Sequence, residues 1–158
     1  RLERLSENLQ RMGLSADVVQ ADLREWEPSE SADAVLLDAP CTATGIFRRH
    51  PDVIHRIGPR QIAEMAELQQ ALLARASHWV RPGGVLVYAT CSLERAEGEE
   101  QAQRFLDEND GFVAVAADPA RLPAGIAPTE QGWLRTGPQT LRDHGGADGF
   151  FVALFRRR

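Results

Sequence analysis

The only two cysteines of the chain occupy matching positions, each directly after an apolar run. Cys41 closes the run at residues 36–41 (Leu-Leu-Asp-Ala-Pro-Cys), and Cys91 closes the run at residues 88–91 (Tyr-Ala-Thr-Cys). Each run has the character of a buried strand that stops at small or polar residues. In a parallel α/β sheet, ligands bind beyond the carboxyl ends of the strands. We therefore expect both thiols and the carboxylate of Asp38 to project into one crevice, which is a catalytic arrangement.

The composition describes a globular domain of ordinary kind. The chain has 158 residues, of which 43% are hydrophobic and 26% charged, enough for one domain with a sizeable core, and we predict a single domain over residues 1–158. No apolar run approaches the roughly 20 residues that span a bilayer, and the start does not resemble a secretory signal. We expect a cytoplasmic location, where the two cysteines stay reduced.

Alternating helical and strand patterns indicate a doubly wound sheet. Helices are predicted over residues 1–12, 59–79 and 94–109, and strands over residues 16–21, 34–37, 85–89, 112–116 and 150–155. The second helix has an apolar stripe that is predicted to be buried, formed by Ile62, Met65, Leu68, Leu72, Ala76 and Trp79. Gly98 weakens the third helix, and residues 118–147 have no clear periodicity. The order is that of the latter part of a doubly wound α/β sheet that finishes in an antiparallel hairpin. The connection at residues 39–59 is long enough to indicate a functional loop.

The motifs around the cysteines resemble those of a known family. Residues 38–45 read Asp-Ala-Pro-Cys-Thr-Ala-Thr-Gly, and they are followed by Arg-Arg-His-Pro-Asp at 48–52, Ala-Thr-Cys-Ser at 89–92 and Asp-Gly-Phe-Phe at 148–151. Together they cover nearly the whole chain. The combination is similar to the RNA cytosine-C5 methyltransferase family, and within it to the bacterial 16S rRNA methyltransferase B (Sun/Fmu) group.

This resemblance implies a fold, a cofactor and a substrate. The fold is the class I S-adenosylmethionine (SAM)-dependent methyltransferase sheet, Rossmann-like α/β, lacking its first two strands in this chain. The cofactor is SAM, and the substrate is RNA, with 16S rRNA expected. Because unpaired backbone groups inside a sheet are costly, we expect the chain to be the C-terminal portion of the catalytic domain, completed by a missing N-terminal segment or by a homodimer.

The resemblance also assigns roles to the two thiols. Carbon 5 of cytosine is a poor nucleophile, and a thiolate that adds to carbon 6 activates it and can later leave. The family places this nucleophile at Cys91 and gives Cys41 the task of helping to release the methylated base. The opposite assignment stays open, because DNA cytosine-C5 methyltransferases use a Pro-Cys nucleophile. A structural alternative is that both are buried core cysteines.

Two carboxylates are candidates for contacts with substrate and cofactor. Asp38 is placed to hydrogen-bond the N3 and amino edge of cytosine, and in the family it also borders SAM. Asp22 matches the family's acidic residue after the third strand, which contacts the adenine side of SAM. Each has a structural alternative, Asp38 as a cap and Asp22 as a turn residue.

The formal net charge of −5 excludes RNA binding by bulk electrostatics, so local patches must supply it. Arg48, Arg49 and His50 form the centre of the one basic cluster in the body of the chain, and they are the predicted RNA phosphate contacts. A solvated basic loop is the alternative. No metal site is predicted, since the histidines are scattered and the cysteines lack zinc-like spacing.

Three other functions remain possible at the level of sequence. The same chemistry on tRNA is the nearest. A non-catalytic RNA-binding protein of this fold has no chemical need for Cys41, Cys91 and Asp38 together. A small-molecule methyltransferase explains neither the two strand-end cysteines nor the basic insert.

Overall fold

Both cysteine-bearing runs lie in one five-stranded sheet in the computed structural model, which describes residues 2–158. The strands are β1 (Ala32–Asp38), β2 (Val80–Thr90), β3 (Phe112–Val115), β4 (Leu134–Thr136) and β5 (Phe150–Arg157). The helices are α1 (Leu2–Met12), α2 (Val53–Arg56), α3 (Pro59–Trp79) and α4 (Glu99–Glu108). The strand order is β1-β2-β5-β3, and β4 also pairs with β5. The predicted α/β sheet is thereby confirmed.

The register of β1 and β2 brings the two cysteines to the same edge of the sheet. The two strands are parallel, with Leu37 opposite Tyr88 and Asp38 opposite Ala89. Strand β5 runs antiparallel to β2 on one side and to β3 and β4 on the other. Because β1 and β2 end level with each other, the residues that follow them leave the sheet side by side.

The core lies between the sheet and the two long helices that follow its parallel strands. Tyr88, Phe151 and Phe155 are fully buried, and the ring of Phe105 from α4 lies 4.8 Å from that of Phe155. Every second residue of β2 from Leu86 onward and of β5 up to Phe155 is buried, as the two-residue period of a strand requires. Burying one such side chain stabilises the fold by about 1.5–3 kcal/mol. The loops at the strand ends therefore follow well-packed and stable strands.

Helix α3 confirms its prediction in both ends and face. It begins at Pro59, whose missing N–H costs nothing at this position, and the Gly58 N–H is satisfied by the Gln61 side chain. Its buried residues include Leu72 and Ala76, both members of the predicted apolar stripe. None of the helices within residues 2–158 has the length and apolar character to cross a membrane.

Helix α1 matches its prediction as far as the structure describes it. It ends at Met12, and Gly13 follows with φ 65°, a left-handed conformation that suits glycine. Arg1, which the prediction included, lies outside the described residues. No residue of α1 is buried.

One predicted strand is wrong, and one predicted helix begins later than expected. Residues 16–21 do not form a strand but an exposed irregular segment, because no strand within residues 2–158 lies beside them to complete a ladder. The helix predicted over residues 94–109 begins only at Glu99. A separate 3₁₀ turn at Arg95–Glu97 precedes it. Gly98 separates the turn from the helix, because its backbone angles, φ −125° and ψ −97°, are not helical.

The segment at 118–147, for which no structure was predicted, supplies β4. That strand pairs with the first residues of β5. Trp133, just ahead of it, is buried, with its ring 5.7 Å from that of Phe151. A long-range partner therefore orders this stretch, and such a partner leaves no periodic signal in the sequence.

Candidate active site

The two thiols meet in a pocket at the carboxyl edge of β1 and β2. The Sγ atoms of Cys41 and Cys91 lie 3.4 Å apart, within thiol hydrogen-bonding distance, and both cysteines are free and partly buried. The pocket has a volume of about 680 Å³, within the usual size of small-molecule sites. Its lining residues are Leu2, Leu5, Asp38, Ala39, Pro40, Cys41, Ala43 and Cys91. The structure thus brings together the three residues predicted to be catalytic.

The surroundings of Cys41 keep it in the neutral thiol form. Burial, and next the hydrogen bond with Cys91, raise the pKa of Cys41 to about 12. At neutral pH Cys41 is therefore protonated, and it is able to donate a hydrogen bond to Cys91. A thiol that stays neutral is a poor nucleophile, so Cys41 is the less suited of the two to attack a substrate.

A cation stands near the pair. The pKa of Arg49 is raised, mainly by its hydrogen bond to Asp148 and to a smaller extent by negative charge at Cys91. The guanidinium is thus within electrostatic reach of the Cys91 sulfur.

A buried carboxylate contacts both of the loops that carry the cysteines. We call residues 39–45 the Pro-Cys loop and residues 91–97 the Thr-Cys loop. Glu97 is fully buried. It accepts hydrogen bonds from the Thr42 N–H at 2.9 Å, from the Gln69 side-chain amide at 2.9 Å and from the Ser92 hydroxyl at 3.1 Å. The Thr42 hydroxyl donates to it as well. Gln69 also donates to the Pro40 carbonyl, so α3 takes part in holding both loops.

Backbone contacts bring a third segment against the two loops. The Gly45 N–H donates to the Cys91 carbonyl at 3.0 Å, and the Gly149 N–H donates to the Gly45 carbonyl at 2.8 Å. A side chain at Gly45 has no room, because its Cβ would overlap Gly149 and lie 2.8 Å from the Cys91 oxygen. The close approach explains the glycine at this point of the Pro-Cys loop.

Arg135 of β4 anchors the Thr-Cys loop from the outside. Its guanidinium pairs with both carboxylate oxygens of Glu99, at 3.0 and 2.5 Å, and donates to the Ser92 carbonyl at 2.5 Å. It also lies 5.0 Å from the ring centroid of Phe151. The bidentate pair fixes the guanidinium plane, so the residue next to Cys91 is held from this side too.

The predicted RNA contacts lie in the turn after the Pro-Cys loop. Arg48 and Arg49 both reach Asp148, which Arg49 contacts at 2.5 Å, and the Arg49 hydrogen bond lowers the pKa of that carboxyl. Their side chains remain 44% and 57% exposed, and His50 is exposed as well. The cluster therefore has an acidic anchor, and its outer surface is open to solvent.

Asp22 lies apart from the pocket of the cysteines. It occupies an exposed turn, where the Arg24 side chain and N–H bind its carboxylate and lower the pKa of Asp22 to about 2. It is absent from the pocket lining. Asp38, by contrast, lines the pocket and is exposed at the end of β1.

Sequence reasoning missed the residues that hold the loops. Glu97, Gln69 and Arg135 received no role, and Asp148 was noted only within a motif. One signal was available, because Gln69 is a polar residue beside Leu68 on the buried face of α3. Such a residue predicts a buried hydrogen-bond partner, although it does not identify Glu97.

The chain is similar to ribosomal RNA methyltransferases. A profile of the family described as 16S rRNA methyltransferase RsmB/F matches residues 1–156. The chain is 38% identical to the ribosomal RNA small subunit methyltransferase B of Vibrio cholerae over 161 residues and 41% identical to that of Klebsiella pneumoniae over 162 residues. All of this chain matches, but it spans only 34% and 35% of those proteins.

A solved structure is also similar to this chain. The crystal structure of NSun6 from Pyrococcus horikoshii with SFG superposes with a TM-score of 0.81 at 31% identity. The match covers 99% of this chain and 38% of that one. The fold of the chain is thus that of a methyltransferase sheet.

Proposed function

Because the chain belongs to the 16S rRNA methyltransferase RsmB/F family, we propose that it is the cysteine-bearing portion of a SAM-dependent rRNA cytosine-C5 methyltransferase. The observation that carries the proposal is the pair of strand-end thiols 3.4 Å apart. One of them is held protonated by its surroundings, which leaves the other as the nucleophile. The relatives' names support ribosomal RNA as the substrate.

Cys91 forms and breaks the covalent bond to the base. Its thiolate adds to C6 of cytosine, and the new sulfur–carbon bond places electron density on C5, which then accepts the methyl group. Loss of the C5 proton restores the C5–C6 double bond, breaks the sulfur–carbon bond and returns Cys91 as a thiolate. The nearby Arg49 cation and the Cys41 thiol stabilise that anion at the start and at the end of the cycle.

Cys41 assists release. Negative charge and hydrogen bonding at Cys91 are among the causes that raise the pKa of Cys41. Once Cys91 is bonded to the base it carries no charge, so the pKa of Cys41 falls in the adduct. Cys41 can then give its proton to solvent, take the C5 proton as a base, and end the cycle as a neutral thiol.

The pocket fits SAM in charge and character. It combines the carboxylate of Asp38 with the apolar side chains of Leu2 and Leu5, which suits a positively charged sulfonium with apolar flanks. SFG, present in the NSun6 structure, is a SAM analogue. Bound SAM supplies the methyl group. Asp38 would hold SAM or the cytosine edge, and Asp22 remains a second predicted contact.

Arg48, Arg49 and His50 would position the RNA strand. Their exposed cationic surface follows the Pro-Cys loop directly, so phosphates bound there would lie beside the pocket. The target base must leave its stack to reach Cys91, so we expect a single-stranded or flipped cytosine.

The test is transfer of a labelled methyl group from SAM to RNA. We expect transfer to 16S rRNA, with the product identified as 5-methylcytosine by mass spectrometry. The chain is assayed alone and as a replacement for the matching third of the Vibrio cholerae relative. Transfer to tRNA but not rRNA would change the substrate, whereas RNA binding without transfer in both proteins would favour the non-catalytic alternative.

A further inference from the structure

Glu97 is a buried charged group that the chemistry above does not use. Its donors come from three separate parts of the chain, namely Thr42 of the Pro-Cys loop, Ser92 of the Thr-Cys loop and Gln69 of α3. Thr42 directly follows Cys41, and Ser92 directly follows Cys91. One carboxylate therefore accepts hydrogen bonds from the residue that follows each cysteine.

The groups that bind the Glu97 side chain are hydrogen-bond donors, and they require an acceptor at this position. The Thr42 N–H and the NH2 group of the Gln69 side chain can only donate hydrogen bonds, and both point at the same carboxylate oxygen. The Ser92 hydroxyl already accepts from the Glu94 N–H at 3.1 Å, so its proton is free for the other oxygen. A carboxylate has four acceptor positions, and four donors fill them here.

The main chain of Glu97 is fixed independently of its side chain. Its carbonyl accepts hydrogen bonds from the Tyr88 hydroxyl at 2.7 Å and from the Thr90 hydroxyl at 3.3 Å. Both donors belong to β2, the strand that delivers Cys91. Truncating the carboxylate therefore removes its hydrogen bonds to both loops, whereas the backbone of Glu97 and the bond from the Gly45 N–H to the Cys91 carbonyl stay in place.

We propose that Glu97 is a positioning residue that holds Cys41 and Cys91 at contact distance by binding the residue after each of them. The residue touches neither thiol. Its relevance to methylation rests on the proposed function, but the geometric role does not. A carboxylate that merely stabilised the fold would leave the spacing of the sulfurs unchanged when it is lost.

The experiment measures the spacing of the thiols directly. Phenylarsine oxide bonds two neighbouring thiols through one arsenic atom and releases one water, so its affinity for the chain reports how close Cys41 and Cys91 lie. It is titrated against the wild-type chain, Glu97→Ala and Glu97→Gln, with mass spectrometry as the readout. We expect Glu97→Ala to weaken the affinity about tenfold to a hundredfold, as the loss of supporting contacts does at metal sites. Glu97→Gln, which keeps the shape and one acceptor, should lose less.

A matched control separates spacing from stability. Leu73 is buried in the core on α3, one turn after Gln69 and outside both loops, so Leu73→Ala destabilises the fold while it keeps every donor to Glu97. We expect its arsenical affinity to stay within about twofold of wild type. If Leu73→Ala weakens binding as much as Glu97→Ala does, or if Glu97→Ala binds as tightly as wild type, the proposal is overturned.

A milder variant covers the case in which Glu97→Ala does not fold. Thr42→Val keeps the volume and the N–H but removes one hydroxyl donor to Glu97. It should weaken arsenical binding about threefold, since one of several shared hydrogen bonds is lost; unchanged binding would overturn the proposal. Neither RNA nor SAM enters the titration, so its failure leaves the methyltransferase proposal standing, and failed methyl transfer leaves the titration interpretable.

Discussion

The Pro-Cys loop and the Thr-Cys loop leave the same edge of the sheet, and each carries one thiol, but they are held differently. The Thr-Cys loop is anchored from both sides, by its own Glu97 inside and by Arg135 outside. The Pro-Cys loop is held by groups from other segments, among them Glu97, Gln69 of α3 and Gly149. It includes Ala43 at φ 56°, a left-handed conformation that is unfavourable for alanine.

The two thiols also differ in their surroundings, and this second difference matters for chemistry. Burial and the contact with Cys91 raise the pKa of Cys41, whereas Cys91 lies near the Arg49 cation. A nucleophile benefits from a rigid, cationic setting, and a proton carrier benefits from a buried one. Breaking either setting should therefore change one step of the reaction and not the other.

The largest effect is expected for Cys91→Ala. Without the nucleophile no covalent adduct with RNA forms, and methyl transfer should fall at least about a thousandfold. Denaturing gels of the protein mixed with RNA and SAM detect the adduct. Full turnover in this variant would reverse the roles assigned to the two loops.

Cys41→Ala should trap the covalent adduct with RNA, which Cys91→Ala cannot form. Cys91 still attacks, but release is slowed, so covalent protein–RNA complexes should accumulate while turnover falls about a hundredfold to ten-thousandfold. The same gels and a tritium-transfer assay measure both quantities. Loss of the adduct, as in Cys91→Ala, would argue that Cys41 is the nucleophile.

Gly45→Ala tests the close packing of the loops. The new methyl group would overlap Gly149 and approach the Cys91 carbonyl, so we expect a loss of about 1–3 kcal/mol in the free energy of unfolding. Chemical denaturation measures it. Gly111→Ala is the control, because a Cβ there meets nothing within 4 Å. Equal effects in the two variants would mean that the loops have room to spread.

Arg135→Gln tests the outer anchor of the Thr-Cys loop. It breaks a pair whose side chains are each 21% exposed and frees the Ser92 carbonyl, so we expect a loss of about 1–3 kcal/mol. Arg104→Gln breaks the exposed ion pair with Glu108 and should destabilise the chain less than Arg135→Gln does, because water screens an exposed ion pair. Thermal unfolding measures the stability of both variants. A larger loss of stability in Arg104→Gln would contradict the role of Arg135 as the outer anchor of the Thr-Cys loop.

The smallest effect concerns the reactivity of Cys41 itself. A raised pKa leaves less thiolate at any given pH, so iodoacetamide should alkylate Cys41 at least about tenfold more slowly than a free cysteine near pH 8. Its rate should still be climbing between about pH 9 and 10, where an ordinary thiol levels off. Peptide mass spectrometry distinguishes Cys41 from Cys91. A plateau at Cys41 below that range would contradict its raised pKa.

Local patterns were enough to predict most of the elements that form the sheet and its helices. The stripe of α3, its start at Pro59 and the runs that end at Cys41 and Cys91 each depend on neighbours within one turn or one strand. The failures lie where a partner is distant. Residues 16–21 have the composition of a strand but find no strand within residues 2–158 to pair with, and Gly98 interrupts the helix that was predicted to begin before it.

The sequence by itself determined which groups stand at the carboxyl edge of the sheet, namely two thiols and the carboxylate of Asp38, since strand ends follow from residue order. Only the tertiary structure decided what those groups can do. Glu97 contacts Thr42 across 55 residues of sequence, and Arg49 contacts Asp148 across 99. The spacing of the thiols and the protonation of Cys41 depend on burial and on partners of that kind, because electrostatics and hydrogen bonding act through space and not along the chain.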